Sequence, residues 1–340
     1  MKNLISRSIY ILCASCTLLL VNIGSATNAP NKDARRRSLP VLQAGQGVNH
    51  VGVAVRDLDA AVRTYRDALG FTVRLSGKLT GGLKNAHAFF EDRTYLELIT
   101  FDDREKASDI AAFLEKHEGT WFIGLEVSSA DKTVEFLRSR GLDVKDPQGG
   151  TVIREEYNDI PAESWRLVEF RKPVVPDDVV FFIEYTRARE DWLRKHPERD
   201  PKNFIHHPNT AKRLVSAWMA VKDLEAVTKA YELIGLPSGR RISFPQLGAR
   251  GREIMAGGGV ILLLEPTTPK GIVASFLSDR GETIMGVSIE VSSLAEARRI
   301  IEVNSKQQYK TYAGLFGQSI LIPAGLANGA WIELFQRKRA

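Results

Sequence analysis

Apolar and polar positions along this chain fall into one layout that recurs four times. The stretches are VNHVGVAVRDLDAAVRTYRDALGF from Val48, FIGLEVSSADKTVEFLRSRGL from Phe122, LVSAWMAVKDLEAVTKAYELIGL from Leu214 and IMGVSIEVSSLAEARRIIEV from Ile284. Each opens with an apolar run closing on a valine: Val55, Val127, Val221 and Val291. Such short β-branched runs predict buried strands. A polar pair follows, and Asp57, Ser129, Asp223 and Ser293 are the predicted N-caps, because their side-chain oxygens can accept from a first-turn N–H. The spacing then turns helical: Leu58, Ala61, Val62, Tyr65 and Leu69 share one face in the first copy. Gly70, Gly141 and Gly235 are predicted C-caps, and the fourth copy has no such glycine.

The copies also close alike. TYLELIT, VFFIEYT, ILLLEPT and AWIELFQ are strands with one glutamate among apolar residues: Glu97, Glu184, Glu265 and Glu333. The glutamate follows the valine by about 42 residues in the first, third and fourth copies and by about 57 in the second. An insertion within TVIREEYNDIPAESWRLVEFRKPVVPDD accounts for the excess. The unit is therefore strand, helix, then several strands, and two units make a domain. The fold class is α+β, with tandem paired βαβββ modules: modules 1 and 2 over 47–190, a linker over 191–207, and modules 3 and 4 over 208–338. The charged, proline-containing linker region predicts a short helix at REDWLRK.

Composition narrows the class. Of 340 residues, 44% are hydrophobic and 26% charged, which is globular. The formal charge of +6 is dispersed, and Arg35-Arg36-Arg37 is the one basic run, so nucleic acid is not an expected partner. Lys2 and Arg7, the apolar run IYILCASCTLLLVNIG and the small residues SATNA have the layout of a signal peptide over 1–26. This predicts a periplasmic or secreted protein without stable membrane association once cleaved; an uncleaved anchor is the alternative. Both cysteines, Cys13 and Cys16, fall in that segment, which removes disulfides and thiolate chemistry from the mature chain. Residues 27–46 read as a flexible lead-in.

The first copy with its later YLELI, the Gly81-Gly82 pair, the FFI strand after a proline loop and the His207-Pro208-Asn209 step together resemble the vicinal oxygen chelate superfamily. That superfamily unites glyoxalases, bleomycin-resistance proteins and extradiol dioxygenases, and the chain looks most like its glyoxalase-like domain proteins. The resemblance implies that two modules curl into an open eight-stranded cup with a divalent metal on its floor. The implied ligands are a first-strand histidine and a last-strand glutamate. Carried over, these are His50, Glu97 and Glu184, with Phe122 standing where a fourth ligand belongs. One nitrogen and two carboxylates suit Zn, Mn, Ni or Fe with positions open to substrate. The implied chemistry is Lewis-acid catalysis with Glu97 or Glu184 moving a proton, as in a lyase, isomerase or hydrolase. A dioxygenase, which wants a second histidine, is a further alternative, with His87 as the substitute. Ser216 and Gly286 hold the first-strand positions of modules 3 and 4, so the second cup reads as structural or substrate-binding.

Each candidate also has a plainer reading. His50 alone is a hydrogen-bonded strand histidine, and the recurring glutamates are remnants of duplication bonded to backbone or arginine. Arg154 and Trp165 in the insertion, and His207 in the linker, are substrate contacts if those segments cover the first cup, and packing residues otherwise. GARGREIMAGGG lacks the setting of a phosphate loop, and no Gly-x-Ser-x-Gly occurs. The functional readings are a metal-dependent enzyme acting on a small oxygenated molecule, a non-enzymatic small-molecule binder of the same fold, and a protein-binding scaffold.

Overall fold

The computed structural model describes residue 42, residues 46–153 and residues 163–337. The segment expected to be a signal peptide (residues 1–26), nearly all of the lead-in and Arg154 lie outside the described residues. The first sheet holds β1 (Gly47–Ala54), β2 (Arg74–Leu79), β3 (Leu83–Phe89), β4 (Tyr95–Phe101), β5 (Gly119–Glu126), β6 (Gln148–Gly150), β7 (Val152–Ile153), β8 (Trp165–Val168) and β9 (Val180–Tyr185). Their order is β6-β8-β9-β5-β1-β4-β3-β2-β7. The second holds β10 (Ala211–Ala220), β11 (Ser238–Phe244), β12 (Ala249–Ala256), β13 (Gly259–Pro266), β14 (Ile284–Val291), β15 (Tyr312–Ala313), β16 (Gln318–Ile322) and β17 (Trp331–Gln336). Their order is β11-β12-β13-β10-β14-β17-β16-β15. In every module the first strand lies parallel to the last, as in β1 with β4 and β14 with β17. The two modules of a pair join antiparallel, through β1 with β5 and β10 with β14.

Seven α-helices lie among the described residues: α1 (Leu58–Arg63), α2 (Ser108–Lys116), α3 (Ala130–Ser139), α4 (Arg187–Lys195), α5 (Leu224–Leu233), α6 (Ile272–Arg280) and α7 (Leu294–Ser305). All four expected caps form: Asp57, Ser129, Asp223 and Ser293 accept from backbone N–H groups of the first turn. Gly70, Gly141 and Gly235 take positive φ at the helix ends, and Lys306 adopts that conformation in the fourth copy. Apolar faces of α1, α3, α5 and α7 enter one core with residues of both sheets. No described helix is long and apolar enough to cross a membrane.

The two sheets differ in closure. β6 and β7 are consecutive in the chain yet pair with opposite edges of the first sheet. Thr151 between them exchanges hydrogen bonds with Thr80, each 3.2 Å long, so the sheet becomes a nearly closed barrel. The second sheet stays a half-barrel, and its concave face is filled. Trp218, Phe244, Leu262, Leu264 and Met285 pack there with Val273 and Leu277 of α6.

Strand pairing shows which glutamates are equivalent. Gly52, Gly124, Trp218 and Ser288 each precede the closing valine by three residues. Their partners on the last strands are Glu97, Phe181, Leu262 and Glu333. Glu184 and Glu265 stand three residues further on than Phe181 and Leu262. In a strand an odd offset reverses the face. Both glutamates therefore point to the helices, where Glu184 accepts from Ala130 N at 2.8 Å and Glu265 from Leu224 N at 3.3 Å. Gln336, at the equivalent position of the fourth copy, accepts from Leu294 N in the same way.

Candidate functional site

The first barrel encloses a cavity of about 670 Å³. Two-residue alternation places its floor. In β4 Leu96 and Leu98 enter the helix-side core, while Tyr95, Glu97 and Ile99 line the cavity. In β1 Val51 and Val53 go to the core and His50 to the cavity. In β9 Phe182 goes to the core, and Phe181, Ile183 and Tyr185 line the cavity. A glutamate tolerates the apolar strand TYLELIT because one face of that strand looks into open space.

Two glycines make room for two rings. His50 lies over Gly124, where a Cβ would come within 2.6 Å of Nδ1, and Phe122 lies over Gly52, where a Cβ would come within 2.4 Å of the ring. His50 and Phe122 are thus related by the approximate two-fold axis between β1 and β5. The His50 ring stacks on Tyr95 at 4.5 Å between centroids and 3° between planes.

A hydrogen-bond network assigns the His50 tautomer. Asn49 Nδ2 donates to Glu126 Oε2 at 2.7 Å, which leaves Asn49 Oδ1 as acceptor. That oxygen receives the Tyr185 hydroxyl at 3.0 Å and His50 Nδ1 at 3.0 Å. Tyr185 in turn accepts from the Tyr95 hydroxyl at 2.7 Å. A register shift between Val48 and His50 lets the adjacent side chains of Asn49 and His50 meet. The proton therefore sits on Nδ1, and Nε2 carries a bare lone pair 3.6 Å from Glu97 Oε2. That separation is too long for a hydrogen bond. Glu97 Oε1 accepts from Asn85 Nδ2 at 2.6 Å. Burial pushes the Glu97 carboxyl up to about 7, against the opposing pull of Asn85. Burial holds His50 down to about 3, so its ring is neutral.

The expected site residues separate. His50 and Glu97 come together. His87 pairs across β3 and β4 with Glu97, lines the cavity and accepts from Asn85 Nδ2 at 3.1 Å, one residue removed from the carboxylate. Trp165 also lines the cavity, its ring lying over Gly150. Glu184, expected as ligand and proton carrier, is instead on the helix face, where Arg166 lies 3.7 Å away. His207, expected at the substrate, is instead a strut. Its Nδ1 accepts from Thr72 N at 2.9 Å and its Nε2 donates to Phe89 O at 2.8 Å. Sequence reasoning missed Asn49, Asn85, Tyr95 and Tyr185, and it left open whether the linker covers the first cup. In the structure α4 and the turns after it roof the barrel, with Arg189, Trp192, Leu193, Arg199 and Pro201 lining the cavity. The amphipathic REDWLRK helix carried that signal.

The profile of the family described as Glyoxalase-like domain matches residues 48–235, more than half of the chain. The chain belongs to the glyoxalase-like domain family. The match includes the whole barrel of this glyoxalase-like protein and the opening of its third module. Among solved structures, a mutant of 4-hydroxymandelate synthase from Streptomyces coelicolor superposes with a TM-score of 0.58 at 12% identity, covering 88% of this chain and 94% of its own. A hypothetical protein from Staphylococcus aureus gives 0.57 at 11% identity, covering 86% of this chain and 99% of its own. Methylmalonyl-CoA epimerase from Mycobacterium tuberculosis matches 38% of this chain and 91% of its own length at 22% identity, with a TM-score of 0.35. The family match and the shared fold of the first of these structures bear out the resemblance to the vicinal oxygen chelate superfamily. No curated protein matches its sequence.

Proposed function

We propose that the barrel binds a small oxygenated organic molecule and moves a proton on it at Glu97, in the manner of an isomerase or lyase. One observation carries this reading. A carboxyl group brought to about 7 stands on the floor of the barrel cavity, beside an imidazole nitrogen that has a lone pair and no proton. A group half-ionised at neutral pH takes up and returns a proton with little loss of driving force. In the step proposed, a carbon-bound proton next to a carbonyl passes to Glu97 and returns to the neighbouring carbon or oxygen. His50 Nε2 accepts a hydrogen bond from a substrate hydroxyl and holds it against the carboxyl. Asn49 and Asn85 keep the two groups in place, and the aromatic walls exclude water.

Divalent ions serve members of this superfamily, and His50 and Glu97 supply one nitrogen and one oxygen donor. Phe122 and Phe181 occupy the positions related to these two by the approximate two-fold. Among the described residues no three His, Cys, Asp or Glu side chains gather as ligands. Catalytic zinc sites use three protein ligands. Two donors opposite two phenylalanines do not fit a resident ion.

The test is exchange in D₂O, followed by proton NMR, of carbon-bound protons in a panel of 2-hydroxy ketones and 2-oxo acids. The wild type should exchange at least one class, and Glu97→Gln should lose on the order of 10²-fold or more of the rate. Equal exchange by the variant would sink the proton-transfer reading. Binding of the same compounds without exchange by either protein would leave the barrel a carrier. Stoichiometric metal that disappears in His50→Ala would restore the metalloenzyme reading. The layout of residues 1–26 supports export to the periplasm or medium. A mature N-terminus found just after Ala26 supports it, and an intact Met1 in the exported fraction contradicts cleavage.

A further inference from the structure

Four cationic side chains line the barrel cavity: Arg74, Lys145, Arg189 and Arg199. Three of them are engaged. Lys145 pairs with Glu169 at 2.9 Å. Arg74 donates from Nη1 to the Arg199 carbonyl at 3.1 Å, and its guanidinium lies 4.8 Å over the Phe204 ring. Arg199 is also engaged, and its backbone carbonyl takes the Arg74 bond. Arg189 differs. Its backbone N–H caps onto Thr186, but its guanidinium has no hydrogen-bond or ion-pair partner among the described residues. It lies 4.4 Å over the Tyr185 ring, half-buried against the cavity wall.

The ring beneath it leads to the floor. The Tyr185 hydroxyl meets that of Tyr95 at 2.7 Å, and the Tyr95 ring stacks on His50. The Arg189 cation therefore stands across two tyrosines from the His50–Glu97 pair. An arginine held flat on an aromatic face keeps its planar fork of donors free, and that fork matches a carboxylate in two parallel hydrogen bonds. Desolvated by the roof, such a pair is worth more than one on an open surface. The remaining walls are mixed: Trp121, Phe122, Trp165, Phe181 and Trp192 form the apolar part, and Ser76, Gln148, Asp109, Asp177 and Asp178 stand among the polar groups.

We propose that the barrel selects a small aromatic carboxylic acid, with the carboxylate paired to Arg189 and the ring lying among the aromatic walls. This inference rests on the proposed small-molecule function of the barrel and names its substrate class. The probes are 3-phenylpropanoate and its uncharged amide, compared by isothermal titration with the full mature chain. The wild type should bind the acid more tightly than the amide by about 10- to 100-fold, the range expected for hydrogen bonds to a charged group. Arg189→Met keeps the apolar stem over Tyr185 and should abolish that preference while leaving amide binding unchanged. Arg189→Lys, which retains charge without the fork, should keep a reduced preference. Glu97→Gln should leave the preference intact, so loss of exchange in that variant and loss of acid selectivity in Arg189→Met report separately. Equal binding of acid and amide by the wild type, no binding of either, or a preference that survives in Arg189→Met would overturn the proposal.

Discussion

Replacing Glu97 with glutamine should change the stability of the protein in a way that depends on pH. Glutamine has the same shape. Its carbonyl oxygen can accept the 2.6 Å bond from Asn85 Nδ2, and its NH₂ group can face the bare His50 Nε2. What is lost is the charge. Burial raises the Glu97 carboxyl from 4.5 to about 7. Between those values the folded protein keeps a proton that the unfolded chain has released, so stability falls as pH rises. The loss begins above 4.5 and is complete above about 7, and it amounts to ~3 kcal/mol. His50 acts in the opposite sense. Its ring is held down to about 3, so the unfolded chain takes up a proton first and stability falls as pH drops below 6.5. That contribution is common to both proteins and cancels in their difference. Urea unfolding near pH 4 and near pH 8.5 is the assay. Glu97→Gln should match the wild type at the lower pH and exceed it by ~3 kcal/mol at the higher. An equal difference at both values would show that Glu97 is not held above its ordinary range, and the proton-transfer argument would fall with it.

Two further outcomes follow from the geometry. Gly124→Ala places a Cβ 2.6 Å from His50 Nδ1 and 2.7 Å from Nε2, so the ring must move from its stack on Tyr95. The expected cost is about 1–3 kcal/mol in urea unfolding, with loss of the exchange activity; unchanged activity would contradict the role given to His50. His207→Ala strips partners from the Thr72 N–H and the Phe89 carbonyl and should cost about 2–4 kcal/mol. Ligand binding should persist in His207→Ala if binding is measured below its unfolding transition, and a selective loss of affinity would return His207 to the site.

The repeat was legible because caps and closing valines obey local rules. Asp57, Ser129, Asp223 and Ser293 each cap the helix that the sequence implies. Glu97 was also readable, since its partner His50 lies on the strand paired with it. Glu184 misled because resemblance between VFFIEYT and TYLELIT is a matter of composition, while facing is a matter of parity. Phe182 of the core and Glu184 share a face, and only the pairing of Gly124 with Phe181 fixes the frame. The roof and the barrel closure were hidden for a different reason. The pairing of Thr151 with Thr80 and the seating of α4 join segments distant in sequence, and no local pattern encodes such contacts. His207 stood in the sequence as a substrate contact, but its role is set by backbone groups at Thr72 and Phe89.

The contrast between the hollow barrel and its filled twin bears on how this protein changes over generations. Trp218 donates to Ser288 at 2.9 Å and is sealed beneath α6, so the second half-barrel has no freedom to vary without opening a void. The first barrel keeps its cohesion on the outer side of its strands, in the core that the helices share with the other sheet. A side chain that already faces empty space leaves no new void when shortened, and space remains when it is lengthened. Substitutions in the lining of the hollow half therefore cost less stability than substitutions in the packed face of the other.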